Sequence, residues 1–152
     1  MPPGKSGSPP LLALTESTMD SINPTLNAWA PRVLSLLRIV AGLVLLQHGL
    51  VKMFGFPVAF PMAVAPFSMF WFAALIEIVT GLLIIVGLFT RPAAFLLAGT
   101  MAAAYFIGHA PRNFFPIANG GNLAIMYCFV FLYLVFAGPG PWSVDAQRSS
   151  NP

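Results

Sequence analysis

The sequence predicts an all-α protein, a bundle of four transmembrane helices in up-down order with both termini cytoplasmic. Three observations lead there. Hydrophobic residues make up 58% of the chain and charged residues 7%, against roughly 45–50% and about 25% in soluble domains. Four apolar segments follow Val33, each near the roughly 20 residues that about 30 Å of hydrocarbon requires. The stretches between them hold Pro57, Pro61 and Pro66, then Thr90-Arg91-Pro92, then Pro111 to Gly121. A soluble chain of 152 residues could not hide so much apolar surface, and this length holds one domain without a separate catalytic module. The net charge of +3 comes from few ions, which reads as a topology signal and makes nucleic acid an unexpected partner. Cys128 is the single cysteine, which excludes an internal disulfide and a CxxC redox pair.

Residues 1–30 are expected to be a disordered N-terminal segment, because MPPGKSGSPP is rich in Pro, Gly and Ser and has no hydrophobic period. The apolar run in LLALTESTM is too brief for a secretory signal. Met19, followed by a capping Asp20, offers a second translation start. The membrane domain occupies 31–140 and a tail 141–152. Its first segment, 33–54, is interrupted by Arg38, Gln47 and His48, and its second, 67–89, by Glu77 alone. The third, 92–109, opens with Pro92 in the first turn, where the missing N–H costs nothing. The fourth, 122–137, is short and draws on Asn119 to Gly121 for full depth. No repeat of fixed period is visible.

Arg32, Arg91 and Arg148 fall on the side of the termini, and Lys52 and Arg112 on the other, which sets the orientation. Trp29 and Trp142 flank the terminal side and Trp71 the opposite boundary, as an aromatic belt would.

Charges inside lipid cost at least a few kcal/mol and usually mark function. At about 1.5 Å per residue, Glu77 lies roughly 21 Å from Arg91 and His48 roughly 24 Å from Arg32, so the two are nearly level. Side chains lean toward the N-terminus of their own helix, so on antiparallel helices these two lean toward each other. Glu77 is therefore expected to reach His48 more readily than Arg38, which at roughly 9 Å leans toward the cytoplasm.

Rotation at about 100° per residue gives each segment one polar stripe. Arg38, Leu45, His48 and Lys52 share a sector in the first. Glu77 shares one with Ala73, Ala74, Gly81 and Ile84, small residues that admit close helix approach. Ala98, Ala102, Tyr105 and His109 align in the third, and Asn119, Asn122, Met126, Phe129 and Tyr133 in the fourth. The polar members gather in the outer half, which suggests a cavity there lined by Arg38, Lys52, Tyr105, His109, Asn119 and Asn122, with Glu77 and His48 as the candidate catalytic residues.

Each feature has a structural alternative. Glu77 with a partner can be a clasp that fixes helix register. His109, near the outer surface, suits a solvated or capping role. His48 and His109 could ligate a haem between helices, but nothing else resembles a haem motif, and no metal site is expected. Phe129, Tyr133 and Phe136 read as bundle core more readily than as a quinone-stacking wall. Cys128 reads as a small apolar filler, and Asn119-Gly-Gly-Asn122 as a turn and helix start.

The blocks LLRIVAGLVLLQHGLVK, Glu77 with GLLIIVGLFTRPAA, His109 with FFPIANGGNLA, and AGPGPWSVDA together resemble the DoxX family of small bacterial membrane proteins, over Val33 to Ala146. The resemblance implies a multi-pass protein of the bacterial inner membrane. It also implies association with a quinone- or thiol-linked redox system, since the family is named for a subunit of a thiosulfate:quinone oxidoreductase. In that reading the outer cavity takes a quinone or a small sulfur compound, Glu77 with His48 manages protons, and no cofactor is intrinsic. The alternative is a non-catalytic membrane anchor or scaffold for soluble redox or stress-response proteins. The lipid bilayer, soluble redox proteins and a second copy of the chain are the expected partners. A small-solute carrier is disfavoured, because four spans without an internal repeat leave little room for alternating access. One departure from the family pattern is Asn122, which stands where relatives often place a second carboxylate.

Overall fold

The computed structural model describes residues 11–150, with side chains from residue 24 onward; the first ten residues of the segment expected to be disordered, and the last two of the tail, lie outside the described residues. All regular structure among the described residues is helical. Helix α1 spans Leu11–Phe54, α2 Met69–Val86 and α3 Thr90–Ala103. The third helix continues as a π-turn over Ala104–His109 and a 3-10 turn over Ala110–Arg112. A short α4 (Pro116–Asn119), α5 (Asn122–Ala137) and α6 (Val144–Ser150) complete the chain. Three helices, Pro24–Phe54, Met69–Val86 and Thr90–Arg112, are long and apolar enough to cross a membrane, and Asn122–Ala137 is a shorter apolar helix. Helix α1 starts well before residue 31 and carries Pro24 and Pro31 inside it.

Local chemistry sets the ends. Ser68 caps α2 by accepting the Trp71 N–H at 3.3 Å. Gly87 closes it in the left-handed region at φ 70°, with its N–H on Leu83 and that of Leu88 on the same carbonyl, a pattern that satisfies last-turn carbonyls. Phe89, also left-handed at φ 49°, precedes α3.

Helix α1 packs chiefly on α2, α3 on α5, and α2 on α3. Lipid is as apolar as the side chains, so close packing rather than the hydrophobic effect holds such helices together. Gly49 shows how tight the approach is. A Cβ there would lie 3.0 Å from the Ala74 carbonyl oxygen and 3.1 Å from the Ile78 nitrogen. The core comprises Ala41, Leu45, Ile84, Ala93, Ala94, Leu97, Ala98, Met101, Phe131 and Leu134. Large apolar residues such as Leu36, Val79, Leu82, Phe95 and Phe106 face outward, as lipid contact requires.

On α1 and α2 the expected sectors hold. Arg38, Leu45, Ala74, Glu77, Gly81 and Ile84 are all buried. On α5 the expected stripe is corrected. Asn122, Met126, Phe129 and Tyr133 are exposed, as is Phe136, while Ala124, Phe131 and Leu134 face the core with Tyr127 beside them. The segment is apolar on every side, so its few hydrogen-bonding groups give no guide to its inner face.

Candidate functional site

Glu77 does find a partner inside the bundle, but it is Lys52. The Lys52 ammonium donates to both carboxylate oxygens, at 2.5 and 2.7 Å. The carboxylate side chain is 3% accessible and that of the lysine 16%. This corrects the expected pairing with His48. Lys52 lies one turn beyond His48 on the same helix face, and its four-carbon stem runs back toward the N-terminus of α1 to meet a glutamate leaning the opposite way. His48 instead points its Nδ1 at the Val44 carbonyl, 2.9 Å away. Its ring meets Tyr127 edge-on with centroids 6.2 Å apart, which links α1 to α5 at this level. A carbonyl can only accept, so Nδ1 carries a proton.

A second polar cluster ties the end of α3 to the loop before α5. His109 donates from Nδ1 to the Asn119 carbonyl at 3.0 Å. Buried Asn119 accepts the Gly121 N–H at 2.7 Å and donates to the Asn113 carbonyl at 2.9 Å. The π-turn brings Tyr105 beside Gly121, where a Cβ would lie 2.6 Å from the ring. Asn122 stands exposed at the first position of α5.

Arg38 belongs to neither cluster. Its guanidinium is fully buried and points toward the terminal end, as leaning predicts, but it meets backbone rather than water. Nε donates to the Pro139 carbonyl at 2.8 Å, Nη1 to the carbonyls of Ile84 and Ile85, and Nη2 to that of Trp142. It thus joins the last-turn carbonyls of α2, of which that of Ile84 also accepts the Gly87 N–H at 3.2 Å, to the segment after α5. Side chains cannot fit where the guanidinium passes: a Cβ on Gly87 would lie 2.9 Å from its Cζ. Ser35 supports the same segment by accepting the Trp142 N–H at 3.2 Å.

Asp145, which sequence reasoning passed over, completes this fold-back. Its carboxylate accepts the N–H groups of Phe89 and Thr90 at 2.9 and 2.8 Å, capping α3 from 55 residues away in sequence. Burial alone would raise this carboxyl. The Thr90 and Phe89 hydrogen bonds and the Arg148 charge outweigh it and hold the group below its ordinary value. The Thr90 hydroxyl, fully buried, lies beside that carboxylate without a hydrogen bond of good geometry. Arg91, the next residue, donates to the carbonyls of Val135 and Phe136, closing the end of α5. An acid in the block WSVD is the only trace of this in the sequence.

A sequence profile of the DoxX family matches residues 33–110. The chain belongs to the DoxX family. It is 43% identical over 125 residues to an uncharacterized protein of Haemophilus influenzae, covering 79% of this chain and 93% of that one. An uncharacterized membrane protein of Mycobacterium tuberculosis is 28% identical over 159 residues, covering 92% of this DoxX protein and 96% of its relative. No solved structure is significantly similar. The profile spans both the Lys52–Glu77 pair and Arg38, and stops before α5 and the fold-back segment.

Proposed function

We propose that this DoxX-family protein is a membrane subunit of a quinone- or thiol-linked redox system, in which Glu77, held by Lys52 and level with His48, handles protons. The observation that carries the reading is the ion pair itself, on two helices long and apolar enough to cross a membrane. A buried pair contributes little stability compared with apolar packing, so a pair kept at this depth points to use. The Lys52 side chain is 16% accessible, and in this reading protons reach the glutamate along it. His48, with Nδ1 spent on the Val44 carbonyl, has Nε2 left for proton exchange in this reading.

In this reading the chain crosses the bacterial inner membrane four times, with both termini in the cytoplasm. Arg32, Arg91 and Arg148 support that orientation. A quinone or small sulfur compound occupies the outer half, near Tyr105, His109, Asn119 and Asn122. Quinone reduction consumes one proton for each electron. The electrons come from a soluble redox partner, and the protein provides the proton path.

Glu77→Gln tests this directly. Gln keeps the shape and most of the hydrogen bonding, and loses the titratable group. Quinone reduction by the partner system, or oxidant resistance of cells at matched expression, should fall by about 10²-fold, with folded protein still recovered. His48→Gln should lower the same activity. Full activity in Glu77→Gln would remove the proton-handling reading and leave that of an anchor for soluble redox proteins.

A further inference from the structure

The terminal end of the bundle carries a feature that proton handling does not use. Where the fold-back segment crosses α3, a groove of about 540 Å³ opens between Phe89, Arg91, Pro92, Pro139, Asp145 and Ser149. Arg91 is anchored at its edge. Nη1 is spent on the Val135 and Phe136 carbonyls, while Nε and Nη2 meet no acceptor among the described residues. Arg148 stands at the rim, its Cζ 6.0 Å from the centroid of the Phe89 ring that lines the groove. The one carboxylate in the groove is Asp145, and both its oxygens are occupied by the first N–H groups of α3. One guanidinium therefore lines the groove and a second stands at its rim, while the carboxylate there already serves a helix start.

Directly below lies an apolar track. Phe95, one turn deeper than Arg91 on the same helix face, is 68% exposed, and Phe136 is 75% exposed. A cationic groove at the end of the spans, above outward-facing aromatic rings, matches a molecule with an anionic head and apolar chains. A free phosphate would use the arginines and leave the rings uncovered.

We infer that this groove binds the phosphodiester headgroup of an anionic glycerophospholipid, with Arg91 as the principal contact, Arg148 as the second and the acyl chains lying over Phe95 and Phe136. Guanidinium forks suit phosphate oxygens, and basic pockets between helices at the bilayer edge commonly hold such headgroups.

The test is lipid titration of the full chain in neutral detergent, read by native mass spectrometry and by the shift in melting temperature. The probes are phosphatidylglycerol, phosphatidylcholine with the same chains, and inorganic phosphate. Phosphatidylglycerol should bind most tightly and raise the melting temperature. Arg91→Gln should weaken it about tenfold, and Arg91→Lys and Arg148→Gln by less, in line with the loss of one charge-assisted contact. Arg112→Gln, which changes the same charge at the other end, should leave binding unchanged. Equal binding of the two lipids, or equal weakening by Arg112→Gln and Arg148→Gln, would overturn the site. Displacement of phosphatidylglycerol by millimolar inorganic phosphate would overturn the lipid assignment. Arg91 also closes α5, so Arg148→Gln decides the matter if Arg91→Gln does not fold.

Discussion

Removing Lys52 should damage the protein far more than neutralising Glu77, although both break the same pair. In Lys52→Met the carboxylate, 3% accessible, loses both of its hydrogen bonds and has no route to water. Two hydrogen bonds to a charged group, at about 1.5–3 kcal/mol each before relaxation, bring the loss to about 3–5 kcal/mol, the usual range for a buried pair broken from one side. In Glu77→Gln the ammonium keeps a long stem and partial access to the outer boundary, so it can turn outward, and the loss should be about 1–2 kcal/mol. The double variant Lys52→Met/Glu77→Gln should resemble Glu77→Gln alone, which makes the coupling about 3–5 kcal/mol, the whole of the Lys52→Met loss. Reversible unfolding from mixed micelles with increasing dodecyl sulfate measures all three against wild type. His48→Gln is the control, because the only hydrogen bond of His48 among the described residues is to its own helix and its edge contact with Tyr127 is the one link it would lose, and it should stay within about 1 kcal/mol. Additive losses in the double variant, or His48→Gln as damaging as Lys52→Met, would refute the pairing.

Three further outcomes follow from the terminal end and from α5. Arg38→Leu strands the carbonyls of Ile84, Ile85, Pro139 and Trp142; it should cost about 3–5 kcal/mol and make the segment after α5 sensitive to protease, which limited proteolysis reads directly. Asp145→Ala removes a helix cap and should cost about 0.5–2 kcal/mol at neutral pH. The Asp145 carboxyl is held below its ordinary value of 3.8, so its stabilisation is complete above that pH and is lost as pH falls through the folded value. Melting curves between pH 7 and 3 should therefore fall less steeply in Asp145→Ala than in wild type. Phe131→Ala, in the core, should cost about 2–4 kcal/mol through the cavity it leaves, whereas Phe129→Ala, on the outward face, should stay within about 1 kcal/mol; a reversed order in dodecyl sulfate titration would show α5 turned the other way.

Spans, turns and the inner faces of α1 and α2 were legible because each leaves a mark in residue type. Apolar length marks α1 to α3. Small residues and a lone acid on one face of α2 show where α1 must approach. Asn119 reads as a turn former, and it accepts the Gly121 N–H as such a residue does. The inner face of α5 left no mark, because a helix apolar all round carries no moment to orient it. The glutamate's partner was misread for a different reason. The depth ruler locates Cα atoms, and a lysine ammonium lies more than a helical turn from its own Cα. Matching levels along the backbone therefore favoured His48, while the side chain long enough to reach down from the next turn made the bond.

Arg38 shows the limit most clearly. Its direction was readable, but its destination was a set of carbonyls, and carbonyls are the same at every position in a sequence. What distinguishes Ile84, Ile85, Pro139 and Trp142 is that three chain segments converge there, two of them at helix ends whose carbonyls have no partner within the helix. The block AGPGPWSVDA is thereby explained without chemistry of its own: glycines and prolines turn its carbonyls toward Arg38, Ser143 starts α6 by accepting the Ala146 N–H at 3.1 Å, and Asp145 caps α3. Most polar residues at this end are spent in closing the bundle, as are His109 and Asn119 at the other, where the Lys52–Glu77 ion pair is one that apolar side chains could replace. Function is therefore to be sought at Lys52 and Glu77, where packing alone would have chosen apolar side chains.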